Sequence, residues 1–239
     1  MKDRTRSILE AAVMDFIKHG KPITSEYLYE IHDFGIKPAM IRWELNDLSE
    51  TGFFYQTHPS GGRFPTDKAY RFFAEEALNH SEEDVPNIFS ALEDSMENDI
   101  KSFVSKMADY LQLLSVGYNA EKHSLYGSGL KELLAHLDLD STRELVDVVN
   151  DFESLEESLL KKRDWWESGT VWPRVFVGQS PVTRSECLSV VAGKVQCEGG
   201  EVVVLSIGPK RMDYQKSVKL FKALGTSKTK KTKKKANHE

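Results

Sequence analysis

Residues 37–78 have the sequence KPAMIRWELNDLSETGFFYQTHPSGGRFPTDKAYRFFAEEAL, in which a helical pattern gives way to a strand-like one and then returns. The first half repeats apolar residues at the spacing of a helix, namely Ile41, Leu45 and Leu48. Pro38 suits the first helical turn, because the amide that proline lacks would be unpaired there. Gly52 suits the end of this helix, because the residue that ends a helix commonly adopts a left-handed conformation that glycine allows. The pattern therefore predicts a helix over residues 37–51.

The second half predicts a hairpin and another helix. Residues 53–56 are aromatic-rich and strand-like, residues 59–62 form a turn, and Arg63 and Phe64 begin a return strand. Thr66 or Asp67 can cap a helix that runs to about residue 78.

Two helices are predicted before this stretch. Residues 3–19 carry a wide apolar stripe that Gly20 ends, and Thr24 or Ser25 can cap a second helix, SEYLYEIH. Residues 33–36 then form the turn into the helix at 37–51. This order of elements predicts an α+β protein with an N-terminal winged helix-turn-helix domain over residues 1–80, in which the helix at 37–51 enters the major groove.

The predicted DNA-binding residues lie on that helix, on the hairpin and on the helix after it. At about 100° per residue, the helix face opposite the apolar stripe presents Ala39, Arg42, Trp43 and Asn46. We expect Arg63 at the hairpin tip to reach a phosphate or the minor groove. The hairpin and the following helix complete the candidate set with His58, Ser60, Gly62, Lys68 and Arg71.

Two motifs within residues 37–78 resemble those of a known family. PAMIRWELNDLSETGFF resembles the P-A-T-I-R-N-D-M-A-E-L-E-x-x-G-Y-L signature of the HrcA family of heat-inducible transcription repressors. HPSGGRFPTDKAYRFF resembles that family's wing, H-T-S-A-G-R-V-P-T-D-K-G-Y-R-F-Y. The chain departs from the family pattern at three positions, where Lys37, Trp43 and Pro59 replace Ser, Asn and Thr.

A third motif lies near the other end of the chain. SIGPKRMDYQKSVKLFKAL resembles the I-G-P-T-R-M-D-Y signature with which the family's GAF-like second domain closes. The resemblance implies an inverted-repeat operator called CIRCE upstream of chaperone operons, and the chaperonin as modulator. Between the motifs the chain is shorter than the family pattern, which implies a reduced GAF-like domain over residues 81–225.

The pattern of that second domain predicts long helices and a small sheet. Apolar residues at a three- or four-residue spacing predict one helix over 87–118 and a second helical stretch over roughly 129–166. RVFVGQ, CLSVVAGKVQ and EVVVLSIG then alternate with period two and predict a three-stranded antiparallel sheet. A final helix is predicted from about Met212 to Leu224, and the lysine-rich residues 226–239 are predicted to be disordered.

Charge and composition constrain the function. The net charge of −5 divides into −2 for residues 1–80, −9 for 81–221 and +6 for 222–239. The first domain is therefore not basic overall. No apolar run approaches the ~20 residues of a membrane span, and no signal peptide is present, so we expect a cytoplasmic protein. The two cysteines, Cys187 and Cys197, are expected to be buried thiols, although flanking strands could bring them close.

The sequence contains no catalytic constellation, no cofactor motif and no metal-ligand spacing, so it predicts neither an enzyme nor a metalloprotein. The leading hypothesis is a repressor that binds a double-stranded DNA operator as a homodimer, because a two-fold repeat is matched by a two-fold protein. Two alternatives stay open. One is a winged-helix protein-interaction module, favoured by Trp43 and the acidic first domain. The other is a small-molecule-responsive regulator with a different operator.

Overall fold

The computed structural model divides the protein into two compact units. It describes residues 1–58, 61–79, 87–137, 141–167, 171–197 and 200–236. The first unit comprises Met1–Glu76 with Arg211–Asp213, and the second comprises Ala77–Lys210 with Tyr214–Glu239. Helices and antiparallel sheets make up both, which confirms the α+β class. The connector predicted at 79–86 lies, from residue 80 onward, outside the described residues.

The first unit contains three helices, a short hairpin and a fourth helix. In chain order these are α1 (Asp3–His19), α2 (Ser25–Ile31), α3 (Pro38–Glu50), β1 (Phe54–Tyr55), β2 (Phe64–Pro65) and α4 (Asp67–Asn79). Local signals set the boundaries. Gly20 adopts a left-handed φ of 62° and its amide donates to Phe16 O. Thr24 caps α2 by accepting from Tyr27 N at 3.1 Å.

The core of the first unit lies between α1, α3 and α4. The apolar stripe of α3 is fully buried, and it shares the core with residues of α1 and α4 that are at most 2% exposed, including Ile8, Leu9, Val13 and Phe73. Gly52 has a φ of 79° and turns the chain from α3 into the hairpin, as predicted. Phe54↔Pro65 and Tyr55↔Phe64 pair across the hairpin.

The second unit contains seven further helices and five strands among the residues described. The helices are α5 (Phe89–Asn98), α6 (Ile100–Leu111), α7 (Leu130–His136), α8 (Thr142–Glu153), α9 (Leu155–Lys161), α10 (Asp164–Glu167) and α11 (Tyr214–Ala236). The strands are β3 (Leu114–Asn119), β4 (Ser124–Ser128), β5 (Arg174–Val177), β6 (Leu188–Cys197) and β7 (Gly200–Pro209).

The prediction of a single helix over residues 87–118 is wrong. Asp99 interrupts it with a φ of −155°, and its carboxylate accepts from Lys101 N and Ser102 N, so it ends α5 and caps α6. Gln112 then adopts a left-handed φ of 57° and ends α6. The last part of the predicted helix, from Leu114 onward, is a strand.

The sheet therefore has five strands and not the predicted three. Its order is β4-β3-β7-β6-β5, and every neighbouring pair is antiparallel. The three predicted strands are present as β5, β6 and β7. The two extra ones come from segments that the apolar spacing assigned to helix or left unassigned, and Tyr118 of β3 pairs with Leu125 of β4 and Val203 of β7.

Helices cover both faces of this sheet. One face packs on buried residues of α7 to α10: Leu133, Val148, Leu155, Leu159 and Trp166. The opposite face approaches α6 and α11 so closely that two strand positions have room only for glycine. A Cβ at Gly117 would lie 2.8 Å from Val104, and one at Gly193 would lie 2.6 Å from Phe221.

Two further predictions differ from the structure. The helical stretch predicted over 129–166 is four shorter helices, α7 to α10, with residues 138–140 outside the described range. The last helix continues to Ala236, beyond the end predicted near Leu224. Lysine is a good helix former and this segment has no proline. None of the helices in the described part of the chain has both the length and the apolarity needed to cross a membrane.

Candidate nucleic-acid interface

The candidate interface is the exposed face of α3. Its burial pattern follows the predicted period, because Ile41 and Leu45 are 0% exposed while the four residues predicted to face DNA are exposed: Ala39, Arg42, Trp43 and Asn46. Trp43 leaves 74% of its surface in solvent and Met40 leaves 45%. The face therefore combines a cation, an amide and an uncovered indole.

Arg42 is held by a residue of α2. Its Nη2 pairs with Glu26 Oε1, and both side chains stay more than half exposed. Ser25 Oγ donates to the second oxygen of the same carboxylate at 3.0 Å. The pKa of Glu26 lies below its usual value, first through its backbone hydrogen bond and then through Ser25 and Arg42. Arg42 thus sits over the junction of α2 and α3 with its charge balanced.

Arg63 does not lie at the hairpin tip, and this corrects the sequence prediction. Its backbone pairs with Ile23, with N–O distances of 2.9 and 2.8 Å, so the residue lies where the hairpin loop meets β2 and is tied to the segment before α2. The residue is only 6% exposed. Its Nη2 donates to Asn46 Oδ1 on α3. The guanidinium is therefore turned into the protein, because the bridge between residues forty positions apart points it inward.

The charges of these residues influence one another. Burial lowers the pKa of Arg63, the nearby Arg42 lowers it further, and Glu26 opposes them. An arginine stays protonated in proteins, so Arg63 is an enclosed cation. Two hydrogen-bonded pairs, Arg42 with Glu26 and Arg63 with Asn46, thus influence each other through their charges, and together they are called here the α3 cluster.

Lys68 and Arg71 also have partners within the protein. Lys68 Nζ donates to Thr51 O at 2.7 Å and lies 4.5 Å from the centre of the Phe53 ring. It therefore stabilises the C-terminal end of α3, where a cation is favourable. Arg71 faces Asp67 one helical turn away at 3.7 Å, and both side chains are exposed. Neither position is buried away from solvent.

The hairpin residues divide into a tight turn and a packed base. Gly61 N donates to His58 O at 2.9 Å, and Gln56 Nε2 donates to Gly61 O at 2.7 Å. Gly62 lies against Pro22, because a Cβ there would be 2.6 Å from Pro22 Cβ. His58 is exposed, and Ser60 lies outside the described residues.

Sequence reasoning missed a second set of contacts, which fixes α3 against α1. Glu44 accepts from Thr5 Oγ1 at 2.6 Å and from Arg4 Nε at 2.9 Å. The hydrogen bond from Thr5, followed by those from Arg4, holds the pKa of Glu44 below its usual value. Neither the apolar spacing nor the motif around Glu44 indicates these hydrogen bonds, because the partners of Glu44 lie about forty residues earlier in the chain.

The second unit carries an open polar cavity. Its volume is about 550 Å³, and it lies between α8 and the loop before β6. Asp151 closes its floor by accepting from Arg184 N and Ser185 N, both at 2.8 Å. Two arginines and four carboxylates line it, namely Arg143, Arg184, Glu144, Asp147, Asp151 and Glu186. With both charges present, the lining favours neither an anion nor a cation.

A second exposed surface is apolar. Leu145, Val146 and Val149 fall within about 100° of arc on α8 and are each 39–52% exposed; we call them the α8 face. Leu130 and Leu134 on α7 are exposed to a similar degree. The sequence predicted apolar excess in this region but not which residues carry it.

The two cysteines are free thiols. Burial raises the pKa of Cys187, and it raises the pKa of Cys197 to about 11. Both thiols are therefore protonated at neutral pH and poor nucleophiles.

Comparison with known proteins gives a family match over most of the chain and several similar curated proteins. The family model described as "HrcA protein C terminal domain" matches residues 64–218. The chain is 27% identical over 216 residues to the heat-inducible transcription repressor HrcA of Acetivibrio thermocellus, covering 87% of this chain and 59% of that protein. It is 35% identical over 113 residues to the protein of the same name from Caldanaerobacter subterraneus, covering 46% and 33%. The chain thus spans less than two thirds of the length of these relatives.

One solved structure shares the fold. The crystal structure of a hypothetical protein at 2.2 Å resolution superposes with a TM-score of 0.69 and 19% identity, and the match covers 94% of this chain and 96% of that one. At this identity the likeness concerns the fold alone.

Proposed function

Because this chain belongs to the HrcA family, we propose that it is a DNA-binding repressor of heat-shock genes that recognises an inverted-repeat operator of the CIRCE type. The observation that carries the proposal is the exposed polar face of α3. Arg42 and Asn46 both stand on that face, at positions one turn apart, while the apolar stripe behind them is buried.

The first unit acts as a winged helix-turn-helix domain in this proposal. Helices α2 and α3 form the helix-turn-helix pair, with α3 as the recognition helix, and the β1–β2 hairpin is the wing. Base reading falls to the N-terminal half of α3. By the sequence prediction the wing contributes through His58 and Ser60, whereas Arg63 and Gly62 pack against Ile23 and Pro22. Arg71 supplies background attraction for phosphates, whereas Lys68 supports the C-terminal end of α3 through its hydrogen bond to Thr51 O.

The second unit is proposed as a reduced GAF-like domain that pairs two copies of the chain. A two-fold operator requires a two-fold protein. The α8 face presents three aliphatic side chains to solvent, and apolar residues grouped in this way mark an interaction surface. A second copy is the occupant that the operator symmetry demands. By resemblance to the family, the chaperonin is the proposed modulator of the repressor.

The proposal is tested by selecting duplexes from a randomised library with the full-length protein. We expect an enriched inverted repeat, and tighter binding to it than to a scrambled duplex at the same salt concentration. Arg42→Ala should abolish most of that difference. Enrichment of no motif would contradict the proposal.

A second candidate is a protein-interaction module, favoured by the large uncovered surfaces of Trp43 and Met40 on the same helix face. A groove-facing indole is poorly suited to reading base edges, whereas tryptophan is a frequent anchor at protein interfaces. The net charge of −2 for residues 1–80 also favours an interaction module over a DNA-binding domain. The same selection separates the two candidates, because an interaction module enriches no duplex, with or without Trp43→Ala.

A further inference from the structure

The side chain of Asn46 has a defined orientation within the α3 cluster. An arginine has only N–H donors, so the atom of Asn46 that faces Arg63 must be the amide oxygen. Arg63 Nη2 indeed donates to Asn46 Oδ1. Chemistry alone thus settles the assignment of oxygen and nitrogen that is otherwise ambiguous in amides. The NH2 group of Asn46 is on the other branch of the amide, directed away from Arg63.

Reversing this orientation would be costly. Arg63 is 94% buried, and among the described residues its Nε already has no hydrogen-bond partner. Turning Asn46 would take away the acceptor of Nη2 as well. A buried donor without a partner loses the free energy of hydration that it had in the unfolded chain. The backbone pairing of Arg63 with Ile23 keeps the guanidinium from moving outward to solvent.

The orientation determines which base edge Asn46 can contact. A bidentate contact to adenine requires the amide oxygen and the amide nitrogen side by side on the base edge. Here the oxygen is directed into the protein, so only N–H donors are available outward. Guanine presents two acceptors in the major groove, O6 and N7, and no donor. A donor-only side chain therefore matches guanine better than adenine, which offers one acceptor, N7, beside a donor.

We propose that Arg63 is a specificity-determining residue that acts through Asn46, by fixing its amide so that the protein selects guanine over adenine at one position of each half-site. This proposal rests on the proposed function, since it concerns a base that α3 contacts. Arg63 itself is a positioning residue and touches no DNA. Its role differs from the phosphate contact that the sequence predicted for it.

The experiment compares base preferences position by position. Duplexes selected with the wild-type protein are varied one base pair at a time and their affinities are measured for wild type, Asn46→Ala, Asn46→Asp and Arg63→Lys. Glu50→Gln, an exposed residue at the C-terminal end of α3, is the matched control. Asn46 is exposed, so its variants test the proposal even where Arg63→Lys reduces stability, which thermal unfolding of each variant records.

We expect a wild-type preference for guanine over adenine of about tenfold at one position per half-site, a value within the range for good base contacts. Asn46→Ala and Arg63→Lys should both reduce it at that position alone. Asn46→Asp should change the preference to cytosine, because a carboxylate that Arg63 holds on one oxygen offers the other as an acceptor for the cytosine amino group. Glu50→Gln should leave every position unchanged.

Two results would overturn the inference while leaving the proposed function intact. One is a wild-type preference for adenine at the position that Asn46→Ala relaxes. The other is a selected motif that Asn46→Ala leaves unchanged throughout, which would make the contact between Arg63 and Asn46 purely structural. If wild type selects no motif, the proposed function fails and the inference fails with it.

Discussion

The exposed faces of α3 and α8 differ in the way their side chains are satisfied. On α3 the polar groups are bonded to residues from other elements, with Glu26 holding Arg42 and Arg63 holding Asn46. On α8 the exposed residues are aliphatic. Such side chains lower the free energy only when their apolar surface is removed from water. The first surface is organised before any ligand arrives, whereas the second leaves apolar area in solvent. In the proposed function this contrast separates a surface for DNA from one for a second copy of the chain.

The largest effect is expected when the apolar surface is given charge. Val146→Asp with Val149→Asp should shift the protein from dimer to monomer, because two copies of an unpaired carboxylate would face each other. Like charges in an interface cost about 3 kcal/mol or more, which is over a hundredfold in the dissociation constant. Sedimentation equilibrium of the full chain at micromolar concentration measures this. Asp147→Asn, on the other side of α8, is the control, and a monomeric wild type would refute the dimer.

The next effect concerns the polar surface. Arg42→Ala should weaken binding to a selected duplex by about 1–3 kcal/mol and affect a scrambled duplex less. Glu26→Gln removes the carboxylate that pairs with Arg42 and should not weaken binding, since it leaves Arg42 free to turn to the DNA. Fluorescence anisotropy at one salt concentration gives both values. Equal losses on both duplexes would reduce Arg42 to a phosphate contact.

A smaller effect tests whether Lys68 belongs to the polar surface or supports it. Lys68→Met removes the hydrogen bond to Thr51 O while keeping a long apolar chain over Phe53. We expect the free energy of unfolding to fall by about 1 kcal/mol, the typical value of such a bond. The slope of binding against salt should barely change, whereas a true phosphate contact would lower it by about one unit. Arg71→Gln serves as the comparison.

The smallest effect is the pH dependence of the contact between α1 and α3. The pKa of Glu44 is lowered from 4.5 in the folded state, so the ionised carboxylate stabilises the fold above that value. This contribution is lost as the pH falls through the lowered pKa. The difference in unfolding free energy between wild type and Glu44→Gln should therefore be constant near neutral pH, about 1 kcal/mol, and shrink below pH 4.5. Urea unfolding over that range measures it, and a difference that grows with acid would contradict the assignment.

The helices that the sequence predicted well are those with strong signals at both ends. Helix α3 has proline at its first position and glycine just past its end, and its predicted bounds of 37–51 agree with the observed Pro38–Glu50 to within one residue. Residues 87–118 show the same apolar spacing without such signals. There Asp99 can cap a helix as readily as it can lie within one, and the structure uses it as a cap.

The strand β3 was missed for a different reason. Leu114, Val116 and Tyr118 are apolar at alternate positions, a pattern too short to outweigh the helical spacing before it. What makes this segment a strand is pairing with β7, about 90 residues later, and with β4. No window of sequence contains both partners.

The candidate interface shows the same division between local and distant causes. Periodicity alone placed Ala39, Arg42, Trp43 and Asn46 on the exposed side of α3, because the direction of a helical side chain follows from its position in the turn. The environment of Arg63 could not be read in this way. Its inward direction comes from the pairing of its backbone with Ile23, and its partner Asn46 belongs to a helix seventeen residues earlier.

The sequence by itself thus determined the order of helices and hairpin in the first unit, the three C-terminal strands and the exposed face of α3. In each case the deciding interaction spans a few residues, through a cap, a turn or a repeating apolar position. Only the tertiary structure decided the five-stranded sheet, the pairing of Arg42 with Glu26 and the burial of Arg63 against Asn46. Those features arise where segments distant in the chain meet, and the cost of leaving a buried polar group unpaired then selects the partners.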